Sequence, residues 1–398
     1  MKNKELLTRS IDRIYPSREE FDKVLLSGKK LRIYMGIDPT ADYAHLGHST
    51  NYIILKRFHE LGHKIIVLIG DFTAMIGDPS DKGGSARVRL TKEQVQKNVK
   101  TFKEQIGKIL NFNDKKNPIE LRFNSEWLSK LNFEDLIELA SNFTVQQMIE
   151  RDIFEKRIES KKPLYVHEFF YPLMQGYDSV ELKADVEIGG TDQTFNMLAG
   201  RTLVKNYLKG EKFVITTTLL VNPVTGEKLM SKSLGTGIGL NESAKDMFGK
   251  VMALPDEAIV QCFIDCTFLP LAEIKKIEED MRKGGNPRDA KVLLANKIVE
   301  IYHGKKKADE VQEQFFKVFS KKELPESIEE VSFEKKEWNI LDIIFELQFA
   351  ASKSDAKRLV TQGGVKIDSA KITDPTAEIS IYPGMIIQAG KLRIVKIK

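Results

Sequence analysis

Cysteine is close to absent from this 398-residue sequence, which has only Cys262 and Cys266. Four residues apart in a segment with helical patterning, they match neither a CxxC redox motif nor a zinc knuckle, and are expected as buried small hydrophobes. Long apolar runs are missing too. The longest, such as residues 64–70, fall far short of the roughly 20 residues of a membrane helix, so no membrane span is expected. The first seven residues mix charges with few apolar side chains and lack the apolar core of a signal peptide, which predicts a cytoplasmic protein. Repeats and low-complexity tracts are absent. With 41% hydrophobic and 30% charged residues, the composition is that of an ordinary globular protein. An excess of one charge is also lacking. The 62 basic against 57 acidic residues give a net +5, which permits a nucleic-acid partner without demanding one.

At roughly 100 to 200 residues per domain, the length predicts two to four domains. Residues 31–37 read as a buried strand, closed by Asp38-Pro39-Thr40 and followed by an amphipathic stretch over 45–61 and a second apolar strand over 65–70. Strand, loop, helix, strand is a βαβ unit and begins a parallel α/β sheet. After the polar loop 77–89 the sequence turns mostly helical, with one strand near 120–123, and reads as an insertion over about 78–183. The sheet pattern returns with a strand ending in Gly189-Gly190-Thr191, a helix from about Asp192, and a β-rich run over 213–220. Residues 241–320 are helical throughout and predict a separate bundle. The charged stretch 321–339 reads as a linker, and 340–398 as a small α+β module. The expected organisation is thus a Rossmann-like domain over 1–220, a loop over 221–240, a helical domain, a linker and the terminal module.

Two motifs carry chemistry. In His45-Leu46-Gly47-His48, spacing of three puts both imidazoles on one face at the positive end of the first sheet helix. Such a face suits anions, and Gly47 leaves room for a flat ring or a phosphate chain at the backbone. In Lys228-Leu229-Met230-Ser231-Lys232-Ser233, lysines and small hydroxyls follow the last strand on a flexible loop, placed to stabilise charge on a leaving pyrophosphate. A third feature is the stripe of Tyr171, Gln175 and Asp178, at i, i+4 and i+7 of one helix, where a core stripe would be apolar. These polar tips suit an amino group near Tyr171 and Gln175 and a hydroxyl near Asp178, with Tyr34 as a second phenol partner.

The histidine pair and the lysine loop on such a sheet resemble the two motifs of class I aminoacyl-tRNA synthetases. Residues 34–42, 170–178 and 189–193 look like those of the bacterial tyrosyl-tRNA synthetases, and the resemblance covers nearly the whole chain. It implies a ligase that forms tyrosyl-adenylate from L-tyrosine and ATP, then esterifies tRNA(Tyr). By the same resemblance, Tyr34 and Asp178 bind the phenol, and Asp78, Tyr171 and Gln175 the ammonium. Gln193 lies near the carboxylate, and Asp38 lines the same pocket. For ATP it implies Thr40, His45 and His48 at the phosphates, with Gly47 and Met230 beside them and Gly190 and Asp192 at the ribose. Lys82, Arg87 and Lys232 would face pyrophosphate in the transition state. Magnesium is expected to arrive with ATP, since no carboxylate cluster forms a dedicated metal cage. The resemblance further implies a homodimer whose interface comes from the helices around Trp127 to Ile149, and a helical domain that reads the anticodon. The terminal module resembles the small RNA-binding module of ribosomal proteins, with Lys353, Lys357, Arg358 and Lys366 as tRNA contacts. Two departures stand out. Leu229 occupies the place of the usual first lysine of the loop motif, with Lys228 one position early, and the loop 81–87 is longer by about one residue than is usual in the family. The alternatives are tryptophan activation on the same fold and an RNA-binding relative without catalysis. The phenol-binding pair speaks for tyrosine, and the retained histidines and Lys232 speak for catalysis.

Overall fold

A computed structural model of the chain describes residue 5 and residues 7–78, 90–230, 236–320, 329–333, 337–350, 352–390 and 393–398. They form two compact units, Met1–Ala308 and Asp309–Lys398. In the first unit β1 (Ile11–Tyr15), β2 (Arg32–Ile37), β3 (Lys64–Ile69), β4 (Glu120–Phe123), β5 (Val186–Gly190) and β6 (Phe213–Thr217) make a sheet of order β1-β6-β5-β2-β3-β4. All are parallel except β1, which runs antiparallel to β6. Strands covered on both faces need unbroken apolar sequence. Residues Ile65 to Ile69 of β3 meet that need, none more than 1% exposed, and each such side chain contributes about 1.5–3 kcal/mol by burial.

Chain order runs outward through β2, β3 and β4 on one side and through β5 and β6 on the other. The reversal between β2 and β5 is a topological switch point, and open α/β sheets bind ligands outside the carboxyl ends of the strands there. Helix Leu46–Glu60 follows β2 and helix Thr194–Leu208 follows β5, after a short 3-10 turn at Thr191–Gln193. That turn delays the helix expected from Asp192. The strand expected inside the insertion is the far edge of the sheet, paired with β3. Its four half-buried residues are too few and too polar to mark it as a sheet member from sequence. Trp127 and Leu128, just beyond it, pack with Tyr34, Ile66, Tyr171 and Met174 and fasten the inserted helices beside the switch point.

Helices Ala244–Met252, Ile259–Cys266, Leu271–Arg282, Pro287–His303 and Lys305–Ser320 follow the sheet. Cys262 and Cys266 are fully buried free thiols. Arg9, 3% exposed, donates to the carbonyls of Phe263, Ile264, Thr267 and Leu269 at 2.6–3.1 Å. The N-terminal segment thereby satisfies the orphan carbonyls at the end of helix Ile259–Cys266.

The second unit is α+β. Its larger sheet has the order β10-β9-β12-β13-β7, and β11 pairs with β8. The strands are β7 (Glu329–Val331), β8 (Glu337–Asn339), β9 (Val365–Ile367), β10 (Ala370–Ile372), β11 (Glu378–Ser380), β12 (Ile386–Ala389) and β13 (Arg393–Ile397). Helices Ile340–Glu346 and Lys353–Thr361 share its core, where Ile343, Ile344, Val360 and Ile387 are fully buried. Both β7 and β8 lie in the stretch expected as a linker. Short, charge-rich strands suit a sheet edge that must not recruit another chain, and that same composition reads as linker in sequence.

Candidate active site

A cleft of about 550 Å³ opens at the switch point, between the carboxyl ends of β2 and β5, the start of helix Leu46–Glu60 and the helix Phe170–Glu181. One end is built for anions. His45 is the N-cap of helix Leu46–Glu60, whose first turn carries no acidic residue. The His45 and His48 rings lie 3.9 Å apart between centroids, and His48 Nδ1 accepts the His45 backbone N–H at 3.1 Å. The neutral His48 ring therefore carries its hydrogen on Nε2 and offers a donor there. Thr40, Gly47, Gly190 and Met230 line the same cleft. A Cβ on Gly47 would fall 3.0 Å from the His45 ring, so only glycine leaves that backbone open.

The loop motif is anchored on both sides. Val221 bridges to Lys228, and beyond the motif Gly239 bridges to His45. Lys228 Nζ lies 3.1 Å from Asp192 Oδ2, so the early lysine is paired with the residue expected at the ribose. Lys82, Arg87 and Lys232 fall outside the described residues.

The opposite end is rich in carboxylates. Asp38 accepts from the Tyr171 hydroxyl at 2.8 Å and from Thr73 Oγ1 at 2.7 Å. Asp78 accepts from Arg151 at 3.0 Å and from Gln193 Nε2 at 2.6 Å, with Arg151 also stacked over Phe154. Asp178, 3% exposed, accepts from Trp127 Nε1 at 2.8 Å and Asn124 Nδ2 at 3.3 Å. Burial pushes its carboxyl well above the usual range despite those two donors. Gln175 Nε2 donates to Glu187 at 3.0 Å and its oxygen accepts from Asn196 at 2.9 Å. The stripe of Tyr171, Gln175 and Asp178 thus reaches one cleft, with Asp38, Asp78 and Gln193 beside it.

Tyr34, expected with Asp178 at the substrate phenol, is not among the residues that line the cleft. It is fully buried and its hydroxyl lies 2.7 Å from Ser179 Oγ, the next residue along the helix. In the second unit, Lys353 pairs with Asp342 at 2.6 Å and Arg358 with Asp355 at 2.8 Å, while all four expected tRNA contacts are exposed.

Residues 26–320 match the family model of class I tRNA synthetases for tryptophan and tyrosine. Tyrosine–tRNA ligases of Moorella thermoacetica and Carboxydothermus hydrogenoformans are 42% and 44% identical. The alignments cover 98% and 99% of this chain and 94% and 97% of those proteins. The chain belongs to the class I tyrosyl-tRNA synthetases. Among solved structures, the C-terminally truncated mitochondrial tyrosyl-tRNA synthetase of Aspergillus nidulans is 26% identical with a TM-score of 0.67, covering 80% of this chain and 94% of that one. The Archaeoglobus fulgidus tyrosyl-tRNA synthetase complexed with L-tyrosine, 21% identical with a TM-score of 0.60 over 78% of this chain and 100% of that one, shares the fold.

Most of the described residues expected at the tyrosine and ATP sites line the cleft, Tyr34 excepted, but Asn124 and Glu187 line it too and were not expected there, nor were the residues behind it. Asn124, Trp127, Arg151, Glu187, Asn196 and Lys212 all hydrogen-bond into the site or just behind it. One of them was visible in principle. Glu187 sits between Val186 and Ile188 in a strand whose first four residues are buried, and a carboxylate there requires a partner.

Proposed function

We propose that the cleft activates L-tyrosine with ATP and that the chain transfers the activated tyrosine to the 3′ end of tRNA(Tyr). The observation that carries this reading is the polarity of one cleft, carboxylates at one end and a histidine-bearing helix N-terminus at the other. Asp78, Tyr171 and Gln175 receive the ammonium, Asp178 receives the phenol hydroxyl with Tyr34 behind it, and Gln193 lies near the carboxylate. A tyrosine carboxylate oxygen attacks the α-phosphorus and the bond to pyrophosphate breaks. The nucleophile is supplied by the substrate, so the protein contributes alignment and charge stabilisation. Thr40, His45 and His48 face the phosphates, with Gly47 and Met230 beside them and Gly190 and Asp192 at the ribose. Lys82, Arg87 and Lys232 are assigned to the pyrophosphate on the resemblance alone. Magnesium enters as the ATP complex. A ribose hydroxyl of the tRNA then attacks the acyl carbon and AMP leaves.

The same reading includes a homodimer and a cytoplasmic location. Phe133, Ile137 and Val145, at 77%, 57% and 65% exposure in the inserted helices, support an interface there. Lys353, Lys357, Arg358 and Lys366 contact tRNA phosphates; exposed ion pairs such as Lys353–Asp342 are weak enough to exchange for phosphate. Pyrophosphate exchange with each amino acid in turn tests the assignment. Exchange with tyrosine alone is expected, exchange with tryptophan alone moves the site to the sister specificity, and none at all leaves an RNA-binding protein.

A further inference from the structure

Behind the cleft lies an ion pair with no access to solvent. Lys212 and Glu187 have side chains 0% and 2% exposed, and the ammonium donates to Glu187 Oε2, to Ser179 Oγ at 2.7 Å and to the Met197 carbonyl at 3.0 Å. A lysine completely out of water is costly unless every donor is used, and here all three are. Room for it comes from Gly200, where a Cβ would fall 2.4 Å from Lys212 Nζ and 2.6 Å from Ser179 Oγ.

The pair touches the cleft through two hydrogen-bond routes. On one, Glu187 Oε1 accepts Gln175 Nε2, Gln175 Oε1 accepts Asn196 Nδ2 at 2.9 Å, Asn196 also donates to Gln193 Oε1 at 3.0 Å, and Gln193 Nε2 donates to Asp78. Each amide could in isolation be turned end for end. Carboxylates accept only, so Glu187 at one end and Asp78 at the other fix a single sense for the chain between them. On the other route, Ser179 takes the lysine's proton donor and contacts Glu187 at 3.4 Å, which leaves the Tyr34 hydroxyl to donate to Ser179.

We infer that Lys212 is a positioning residue for the amino-acid substrate: as the counter-charge of Glu187 it sets the orientation of Gln175 and Gln193 and the hydroxyl direction of Tyr34. This rests on the assignment of those three residues to the tyrosine pocket. Without the ammonium, Glu187 is a buried carboxylate stripped of its counter-charge, its contacts rearrange, and the chain from Gln175 to Gln193 loses its fixed sense.

Steady-state pyrophosphate exchange on the full chain separates this role from a purely structural one. Lys212→Met is expected to raise the tyrosine KM by about tenfold, the effect of one unmatched buried polar contact, with the ATP KM unchanged. Lys212→Met/Glu187→Gln, which removes both charges but keeps an acceptor for Gln175, is expected to restore it. Gly200→Ala displaces the ammonium without removing it and is expected to act like Lys212→Met, which keeps the test alive if the latter fails to fold. A folded Lys212→Met or Gly200→Ala protein with the native tyrosine KM overturns the inference, as does a double variant no better than the single one. Gln175→Ala serves as the reference. If it too leaves the tyrosine KM untouched, the pocket assignment itself falls and the inference with it; if it alone raises that KM, only the inference falls.

Discussion

The indole of Trp127 donates to Asp178 Oδ1 at 2.8 Å, joining the short helix Ser125–Leu128 to the helix Phe170–Glu181 that lines the cleft. With Asn124 on the other oxygen, the carboxylate is held in place and keeps lone pairs for one further donor. A site that expects a hydroxyl there rejects an analogue without it, by a factor of about 10⁵ already known for tyrosine-activating enzymes themselves. Asp178→Ala is therefore expected to erode rejection of phenylalanine, and Trp127→Phe to do so more mildly by loosening the carboxylate. The ratio of kcat/KM for the two amino acids reports it. Unchanged ratios in both variants would place the phenol elsewhere.

His48→Ala is expected to lower the rate of adenylate formation by about 10²–10³, the usual cost of one donor to developing charge, while tyrosine binding holds. Pre-steady-state adenylate formation against equilibrium tyrosine binding separates the two. An intact rate removes His48 from the phosphate end.

Lys228 is the informative lysine because its partner is known. It holds one oxygen, Oδ2, of the Asp192 carboxylate proposed to face the ribose. If Lys228 also serves in place of the lysine replaced by Leu229, Lys228→Ala lowers the adenylate rate as much as Lys232→Ala does. If it is only a tether for Asp192, the change appears in the ATP KM and spares the rate.

Ending the chain at Ser320 removes β7 with the rest of its sheet, whereas a cut near Glu337 would leave β7 without its partner β13. Tyrosine-dependent pyrophosphate exchange is expected to survive and tRNA charging to fall. Fewer phosphate contacts also mean fewer released counterions, so tRNA affinity should fall less steeply with salt than in the full chain. Equal charging by the two proteins would make the module dispensable.

Glu168 links pH to the stability of the inserted helices. Burial works to raise its carboxyl, but hydrogen bonds from Arg157 at 2.6 and 3.0 Å and from the Tyr165 N–H at 2.7 Å outweigh it and hold the group below its ordinary value. A depressed carboxyl contributes stability above its unfolded value, and loses it as pH falls through the folded one. Glu168→Gln should cost about 3 kcal/mol at neutral pH, because it strands the nearly buried Arg157, and cost progressively less below about pH 4.5. Denaturant midpoints of the two proteins across that range should converge in acid.

What the sequence revealed of this site follows from separation along the chain. Local periodicity exposed the β2–helix–β3 unit, and three polar tips on one helix stripe exposed the face toward the cleft. Partnerships between distant segments were not legible. Lys212 comes just before β6, after Gly210-Glu211, and only packing brings it to Glu187. Tyr34 was named with Asp178 for the substrate phenol on the resemblance to tyrosyl-tRNA synthetases, and its hydroxyl contact with Ser179 is a partnership that spacing along the sequence does not show. The masking of β7 and β8 had another source: their charged residues gave a solvated edge the same composition as a flexible tether.

The antiparallel strand at the sheet's edge bears on how the protein is made. β1 leaves the ribosome before the other described strands of its sheet, yet Ile14 lies opposite Ile215, so its place in the sheet does not exist until β6 has been synthesised. Meanwhile β2, β3 and β4 can pair as they emerge, because their order in the sheet is their order in the chain. Closure over so long a separation is slow, and Arg9 cannot settle until the carbonyls of helix Ile259–Cys266 have also been made. β1 and Arg9 are thus placed late, and β1 presents an unpaired strand edge until β6 has been made.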